Sequence, residues 1–92
     1  EWDVPLAVGD WSLRVVYTSS HDAGIMTFSL DGIDVGSVDG YDASIVHNRQ
    51  ATIGNIHVHA AGSHVLKVRL DAKNPASSNY YGYLAWLRLV AG

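Results

Sequence analysis

Alternating apolar and polar positions recur along the chain with the period of β-strands. In residues 11–18, WSLRVVYT, every second position from Trp11 to Tyr17 carries a bulky apolar side chain. This period of two is typical of a strand with one buried face. Residues 25–30 repeat the alternation, and residues 65–70 show it most regularly. No segment has the 3.6-residue period of a helix.

Turn sequences separate the predicted strands. Asp31 followed by Gly32 is the strongest short-range hairpin signal in the chain, and the next short strand is expected to bend or bulge at Gly36. Residues 51–60 predict a strand broken at Gly54, whereas the assignment of residues 44–50 is left open. About six to eight short strands separated by turns predict an all-β fold, an antiparallel β-sandwich of jelly-roll type without significant helix.

The chain of 92 residues is long enough for one domain. We assign residues 11–92 to a single β-sandwich domain and residues 1–10 to an N-terminal lead segment. Trp11 and Trp86 are expected in the core. Trp2 lies in the lead segment and needs cover from the domain's own flank or from a neighbouring subunit, so it is the candidate interface residue.

Composition narrows the classes of partner. Apolar residues make up 48% of the chain, which is typical of a globular protein, and charged residues only 16%. With so few charges, part of the surface is expected to carry Ser, Thr, Asn and His, or to be buried against a partner. A net charge of −3, with six scattered lysines and arginines, argues against nucleic-acid binding.

The chain carries no sequence signal for membrane insertion or for cysteine chemistry. No apolar run approaches the roughly twenty residues that a membrane span needs. Cysteine is absent, which excludes a disulfide framework, a thiolate nucleophile and a zinc knuckle. Because the chain begins with Glu1 rather than Met, we expect a processed product or a piece of a longer protein.

Three of the five histidines lie within residues 57–64. On a strand, His57 and His59 share one face about 7 Å apart, and Gly62 is expected to turn the chain so that His64 begins the partner strand of a hairpin. The favoured interpretation is a solvent-facing polar pair that binds no metal. A metal site needs about four to six ligands, which two imidazoles supply only around a three-fold axis. A pH-responsive surface is the third alternative.

The sequence predicts no enzyme and no cofactor. No motif of a nucleophilic active site surrounds any serine or histidine. A glycosidase needs two carboxyl groups in one groove, but Glu1 is the only glutamate and most aspartates lie beside glycines or in turns.

The segment KNPASSNYYGYLAW, residues 73–86, combines a polar loop with clustered aromatic residues. Flat rings with polar edges suit sugar stacking and protein interfaces. The alternative is that Tyr80 and Tyr81 flank the entry to the last strand, with one ring packed inward and one covering an edge. The candidate residues for binding a glycan or a partner are Asn74, Ser77, Ser78, Asn79, Tyr80, Tyr81 and Tyr83.

Two stretches, residues 11–41 and 61–89, carry a family resemblance. Leu-Asp-Gly at 30–32 is followed by Val-Gly-x-Val-Asp at 35–39, and Ala-Gly-x-His at 61–64 leads into a regular strand. This order resembles the small jelly-roll modules of tailed-phage virion proteins. It is equally similar to the galactose-binding-like carbohydrate-binding modules of bacterial glycosidases, although the structural calcium site common among those modules cannot be assembled here.

The resemblance implies a non-enzymatic structural or attachment module of a phage tail, fibre or capsid surface. Such a module would be a homotrimer on the virion surface, with other virion proteins and a host-surface polysaccharide as partners. The alternative is a carbohydrate-binding module cut from a secreted bacterial glycosidase.

Overall fold

The structure is a computed structural model and describes residues 1–91. Its seven strands are β1 (Trp2–Leu6), β2 (Gly9–Ser19), β3 (Ile25–Leu30), β4 (Ile33–Asp39), β5 (Val46–Val58), β6 (Gly62–Ala72) and β7 (Leu84–Ala91). They form a four-stranded sheet in the order β1-β6-β3-β4 and a three-stranded sheet in the order β5-β2-β7, with antiparallel pairing throughout. The predicted all-β sandwich without helix is confirmed. No helix within residues 1–91 is long and apolar enough to cross a membrane.

The core lies between the two sheets, where the apolar faces of the alternating strands meet. Leu13 and Val15 of β2, Phe28 of β3 and Leu66 of β6 are fully buried. Burial of one such side chain stabilises the fold by about 1.5–3 kcal/mol. The sequence alternation therefore marks the faces that hold the sandwich together.

Strand β5 contains two bulges instead of the predicted break at Gly54. Asn48 and Asn55 have φ angles of 57° and 59°, and the pairing of β5 with β2 shifts by one residue at each of these places. Asparagine tolerates this left-handed conformation better than most residues. The bulge at Gly54 and Asn55 lets Ile53 and Ile56, three positions apart, both reach the core. The strand continues from Val46 to Val58.

Strand β7 also contains a bulge, and here the sequence prediction is wrong. Val16 pairs with Trp86 but Tyr17 pairs with Leu84, so Ala85 is the additional residue. The bulge turns the Trp86 side chain to the outer surface of the sheet, where 51% of the residue is exposed, whereas the core was expected to hold it. Trp11 does pack against the core.

The predicted hairpin across Gly62 is also wrong. Strand β5 belongs to the three-stranded sheet and pairs with β2, whereas β6 belongs to the four-stranded sheet between β1 and β3. Ile56, Val58 and Leu66 enter the same core from opposite sheets. The link from 59 to 61 therefore crosses between the sheets and does not close a hairpin.

The first ten residues contribute to the sheets rather than leading into them. Strand β1 pairs with β6 from Trp2 opposite Leu66 to Leu6 opposite Gly62, and Leu6 is buried. Trp2 is 38% exposed on this edge strand. Gly92, the last residue of the predicted domain, lies outside the described residues.

Candidate functional site

The polar loop before β7, residues 73–83, is attached to the turn that precedes β3. The Tyr81 N–H donates a hydrogen bond to the Asp22 carbonyl at 3.1 Å, and the Tyr81 carbonyl accepts one from the Gly24 N–H at 2.8 Å. The chains approach so closely that a Cβ on Gly24 would lie 3.0 Å from the Cα of Tyr80. These contacts fix the position of the tyrosines.

Ser77, a predicted ligand-binding residue, holds this loop in place. It is only 4% exposed, and its hydroxyl donates to the Ala23 carbonyl at 2.7 Å. Its N–H donates to the Asn74 carbonyl, and its own carbonyl accepts from the Lys73 ammonium at 2.9 Å. A buried hydroxyl with these partners stabilises the loop and is not available to a ligand.

The two asparagines of the loop are engaged in local hydrogen bonds. The Asn74 side chain accepts from the Ala76 N–H and donates to the Asp39 carboxylate, each at 3.0 Å. The Asn79 side chain accepts from the Tyr80 N–H at 2.9 Å. These are turn-forming contacts of the kind that asparagine commonly makes. Ser78 is exposed, with its hydroxyl 3.4 Å from the His21 carbonyl.

The three loop tyrosines are all exposed, but only two of them lie together. The Tyr81 and Tyr83 ring centroids are 6.3 Å apart, with the rings inclined by 55°. Tyr80 lies instead beside the Lys73 ammonium, which is 5.9 Å from its ring centroid. The structure therefore brings Tyr81 and Tyr83 into one patch and separates Tyr80 from it. Neither Tyr80 nor Tyr81 packs inward.

Tyr83 borders a cleft of about 330 Å³ at this end of the sandwich, a size that falls in the range of small-ligand pockets. We call it the tyrosine cleft. Its lining residues come from the end of β2, the turn after it, the start of β5 with the residue before it, and the loop before β7. They are Thr18, Ser20, His21, Asp22, Ile45, His47 and Tyr83.

The tyrosine cleft contains one hydrogen-bonded acid. The Tyr83 hydroxyl donates to the Asp22 carboxylate at 3.0 Å. Burial acts to raise the pKa of Asp22, but hydrogen bonds with Ser20 and Tyr83 and the charge of His21 outweigh it, so this pKa lies below its usual value. Burial and the contact with Asp22 raise the pKa of Tyr83. At neutral pH the cleft therefore presents a carboxylate and a neutral phenol.

Imidazole groups and one apolar side chain complete the lining. The His47 Nδ1 lies 3.2 Å from the Thr18 hydroxyl, and the His21 Nδ1 lies 3.4 Å from the Ser20 hydroxyl. Ile45 is an exposed apolar side chain beside them. Such a mixture of hydrogen-bonding groups with apolar and aromatic surface can hold a ligand that has hydroxyl groups and apolar faces.

Sequence reasoning found Tyr83 but missed the other residues of this cleft. His21 and Asp22 belong to a stretch that reads only as a turn, and His47 lies in the segment without an assignment. A parallel bridge between Ala23 and Tyr81 joins the turn of His21 and Asp22 to the loop of Tyr83, and this long-range contact has no local signal in the sequence.

The clustered histidines lie away from the tyrosine cleft, around a larger groove of about 470 Å³. The His57 and His59 rings have centroids 6.5 Å apart, close to the predicted spacing. His57 is paired with Asp10, and His64 with Asp31. Within residues 1–91 no three potential ligands are arranged to hold a metal ion. Because no tyrosine or tryptophan lines this groove, we favour the tyrosine cleft as the functional site.

The fold of the chain has a counterpart among solved structures. A xanthan lyase from Paenibacillus matches 98% of this chain with a TM-score of 0.80 and 23% sequence identity. The matching region makes up 9% of the lyase chain. No protein-family model matches this chain, and no curated protein matches it significantly.

This similarity shows the fold: the chain resembles one small β-domain of a much larger carbohydrate-active enzyme. The comparison gives no link to a phage virion protein.

Proposed function

We propose that the chain is a non-catalytic carbohydrate-binding module and that the tyrosine cleft holds the sugar. The observation that carries this proposal is the exposed pair of Tyr81 and Tyr83 beside a cleft that contains the Asp22 carboxylate. The similar fold within a xanthan lyase, a carbohydrate-active enzyme, supports it.

In this proposal the flat ring of Tyr81, 54% exposed, stacks on the apolar face of a sugar ring. A tyrosine has few rotatable bonds, so ordering it on binding costs little conformational entropy. The Asp22 carboxylate accepts hydrogen bonds from sugar hydroxyls, and Tyr83 keeps it oriented. His21 and His47, which also line the cleft, supply further donors or acceptors.

The same lining argues for binding rather than hydrolysis. A glycosidase uses two carboxyl groups on either side of the scissile bond. Asp22 is the only acidic residue among the described residues that line the tyrosine cleft. A single carboxylate that already accepts a hydrogen bond from Tyr83 suits the orientation of a ligand.

Isothermal titration of the 92-residue chain against a panel of soluble polysaccharides tests the proposal. Tyr81→Ala and Asp22→Asn should each weaken binding about tenfold, the equivalent of about 1.4 kcal/mol. Tyr80→Ala is the matched control, since this ring is on the same loop but faces Lys73. Binding that is unchanged in both cleft variants, or lost equally in the control, would contradict the proposal.

A virion attachment module is the second candidate, and the exposed Trp2 is the observation that favours it. Trp2 lies on β1, the edge strand of the four-stranded sheet, where a second copy of the chain could pack. In that case the chain would be a homotrimer on a particle surface, whereas the carbohydrate-binding module would belong to a secreted enzyme. Sedimentation distinguishes the two: a trimer that Trp2→Ser dissociates favours the virion module, and a glycan-binding monomer the proposed one.

A further inference from the structure

An exposed tryptophan lies on the outer surface of the three-stranded sheet, away from the tyrosine cleft. Trp86 is directly opposite Val16 on β2, and Gln50 of β5 is opposite Val16 on the other side. Val16 is only 6% exposed although it points away from the core, because neighbouring side chains cover it. The tryptophan therefore forms part of the outer surface of this sheet.

Two arginines lie beside this tryptophan without a carboxylate partner. Arg14 of β2 is directly opposite Arg88 of β7, two positions from Trp86. Among residues 1–91 neither arginine forms an ion pair. The four remaining lysines and arginines all have an oxygen partner within 3.6 Å: Asp42 for Arg49, Glu1 for Lys67, Asp34 and Asp71 for Arg69, and the Ser77 carbonyl for Lys73.

This arrangement costs stability and therefore suggests a ligand. Like charges directly opposite each other on antiparallel strands are destabilising. Asp10, on the same face further along β2, does not offset them because it is paired with His57. The outer surface thus has a local positive charge in a protein whose net charge is −3.

We propose that this surface binds an acidic polysaccharide, that is, a glycan chain with carboxylate groups. We call it the arginine face and define it by Arg14, Trp86 and Arg88, with Gln50 and Thr52 beside them. The proposal rests on the proposed carbohydrate binding but adds a second site and a ligand class. A sugar ring stacks on Trp86, and the carboxylate of a neighbouring sugar lies between the two guanidinium groups.

The geometry and the chemistry of the arginine face fit such a chain. Trp86 and Arg88 are two residues apart on one strand face, which separates them by about 7 Å. The depression beside Trp86 is small, about 120 Å³, so the surface suits an extended chain rather than a compact ligand. Guanidinium groups bind carboxylates through paired hydrogen bonds, and both arginines remain charged at neutral pH.

The test measures binding of polygalacturonate, with polyglutamate as a carboxylate polymer that contains no sugar. All variants are made in the Tyr81→Ala background, so that the tyrosine cleft contributes less. Replacing both arginines, Arg14→Gln with Arg88→Gln, should weaken polygalacturonate binding at least about tenfold. It should not lower the melting temperature, because it removes a like-charge pair.

Trp86→Leu tests the stacking of a sugar ring on the tryptophan. Leucine keeps an apolar side chain over Val16, so we expect this variant to fold, whereas Trp86→Ala would uncover the strand. Trp86→Leu should weaken polygalacturonate binding and leave polyglutamate binding unchanged. If both polymers bind equally and Trp86→Leu has no effect, the face is a general anion surface and the proposal is overturned.

The two proposals fail in different ways. If the arginine variant binds polygalacturonate as well as its parent does, the proposal for the arginine face is wrong. The proposal for the tyrosine cleft is then kept if Tyr81→Ala alone lowers glycan binding. If the unmodified chain binds neither neutral nor acidic polysaccharides, both proposals fail together.

Discussion

Replacing Ser77 by alanine should destabilise the protein although the residue lies in a surface loop. The Ser77 hydroxyl is buried and donates to the Ala23 carbonyl at 2.7 Å, with the Asn79 carbonyl at 2.9 Å. This contact joins the loop that carries the tyrosines to the turn before β3. The variant Ser77→Ala removes the donor and leaves the Ala23 and Asn79 carbonyl oxygens without it.

The size of the effect follows from the burial of that hydrogen bond. An ordinary intramolecular hydrogen bond contributes about 0.5–1.5 kcal/mol, and an acceptor left unsatisfied in a buried site costs about 1–3 kcal/mol. Because the carbonyls lie near the surface and can partly recover other partners, we expect Ser77→Ala to cost about 1–2 kcal/mol. In a domain of this size each kcal/mol lowers the melting temperature by about 4–8 °C.

Thermal unfolding followed by circular dichroism measures this effect, and the neighbouring serine is the matched control. Ser78 is exposed, and its hydroxyl is 3.4 Å from the His21 carbonyl. Ser78→Ala should therefore change the stability by no more than about 0.5 kcal/mol, as at ordinary surface positions. Equal melting temperatures for Ser77→Ala and Ser78→Ala would show that the hydroxyl does not hold the loop.

Two further predictions concern the histidines. Hydrogen bonds with Asp31 and the Ala60 carbonyl raise the pKa of His64 above its usual 6.5, so its protonation stabilises the folded state below that pH and the contribution is lost as the pH rises through the raised pKa. His64→Gln should therefore lower the melting temperature more at about pH 5.5 than at about pH 8.5, and equal losses at the two pH values would contradict the reasoning. Replacing both His57 and His59 by alanine should change the stability by no more than about 0.5 kcal/mol, since both are exposed. Stoichiometric iron or zinc retained through dialysis against a chelator would show that the pair does bind metal.

The fold was predictable where its determinants are local. A two-residue turn in which both residues have positive φ requires residues that tolerate it, and Asp31 and Gly32 adopt φ angles of 51° and 82° in the hairpin between β3 and β4. The alternation of apolar and polar side chains along a strand is also a local feature of the sequence. Residues 65–70 alternate in sequence, and Leu66 lies in the core while Lys67 is exposed, as the pattern predicts.

The tyrosine cleft could not be predicted in the same way, because its residues meet only through long-range contacts. Asp22 and Tyr83 are far apart in the sequence and are joined by one hydrogen bond. Polar loop residues also look alike in sequence whether they bind a ligand or build the loop. Ser77 and Ser78 are adjacent and chemically identical, yet one is buried against carbonyl groups and the other is exposed.

At the arginine face, one bulge in β7 changes which side chains of the strand face the core and which face outward. With strict alternation from Leu84, a residue that packs against the core, Trp86 and Arg88 would also point inward and Leu87 outward. The additional residue at Ala85 reverses this order.

Because of that reversal, Leu87 and Leu89 pack against the core, while Trp86 and Arg88 reach the outer surface. The sequence contains a signal for this bulge. Leu84 and Leu87 are three positions apart in one strand, and both can face the core only if a bulge lies between them. The pair Ile53 and Ile56 on β5 follows the same rule. Bulges commonly redirect side chains beside functional sites. At Ala85 the bulge that completes the core also places a tryptophan and an arginine opposite Val16 and Arg14, and this is the geometry on which the proposed binding of an acidic glycan depends.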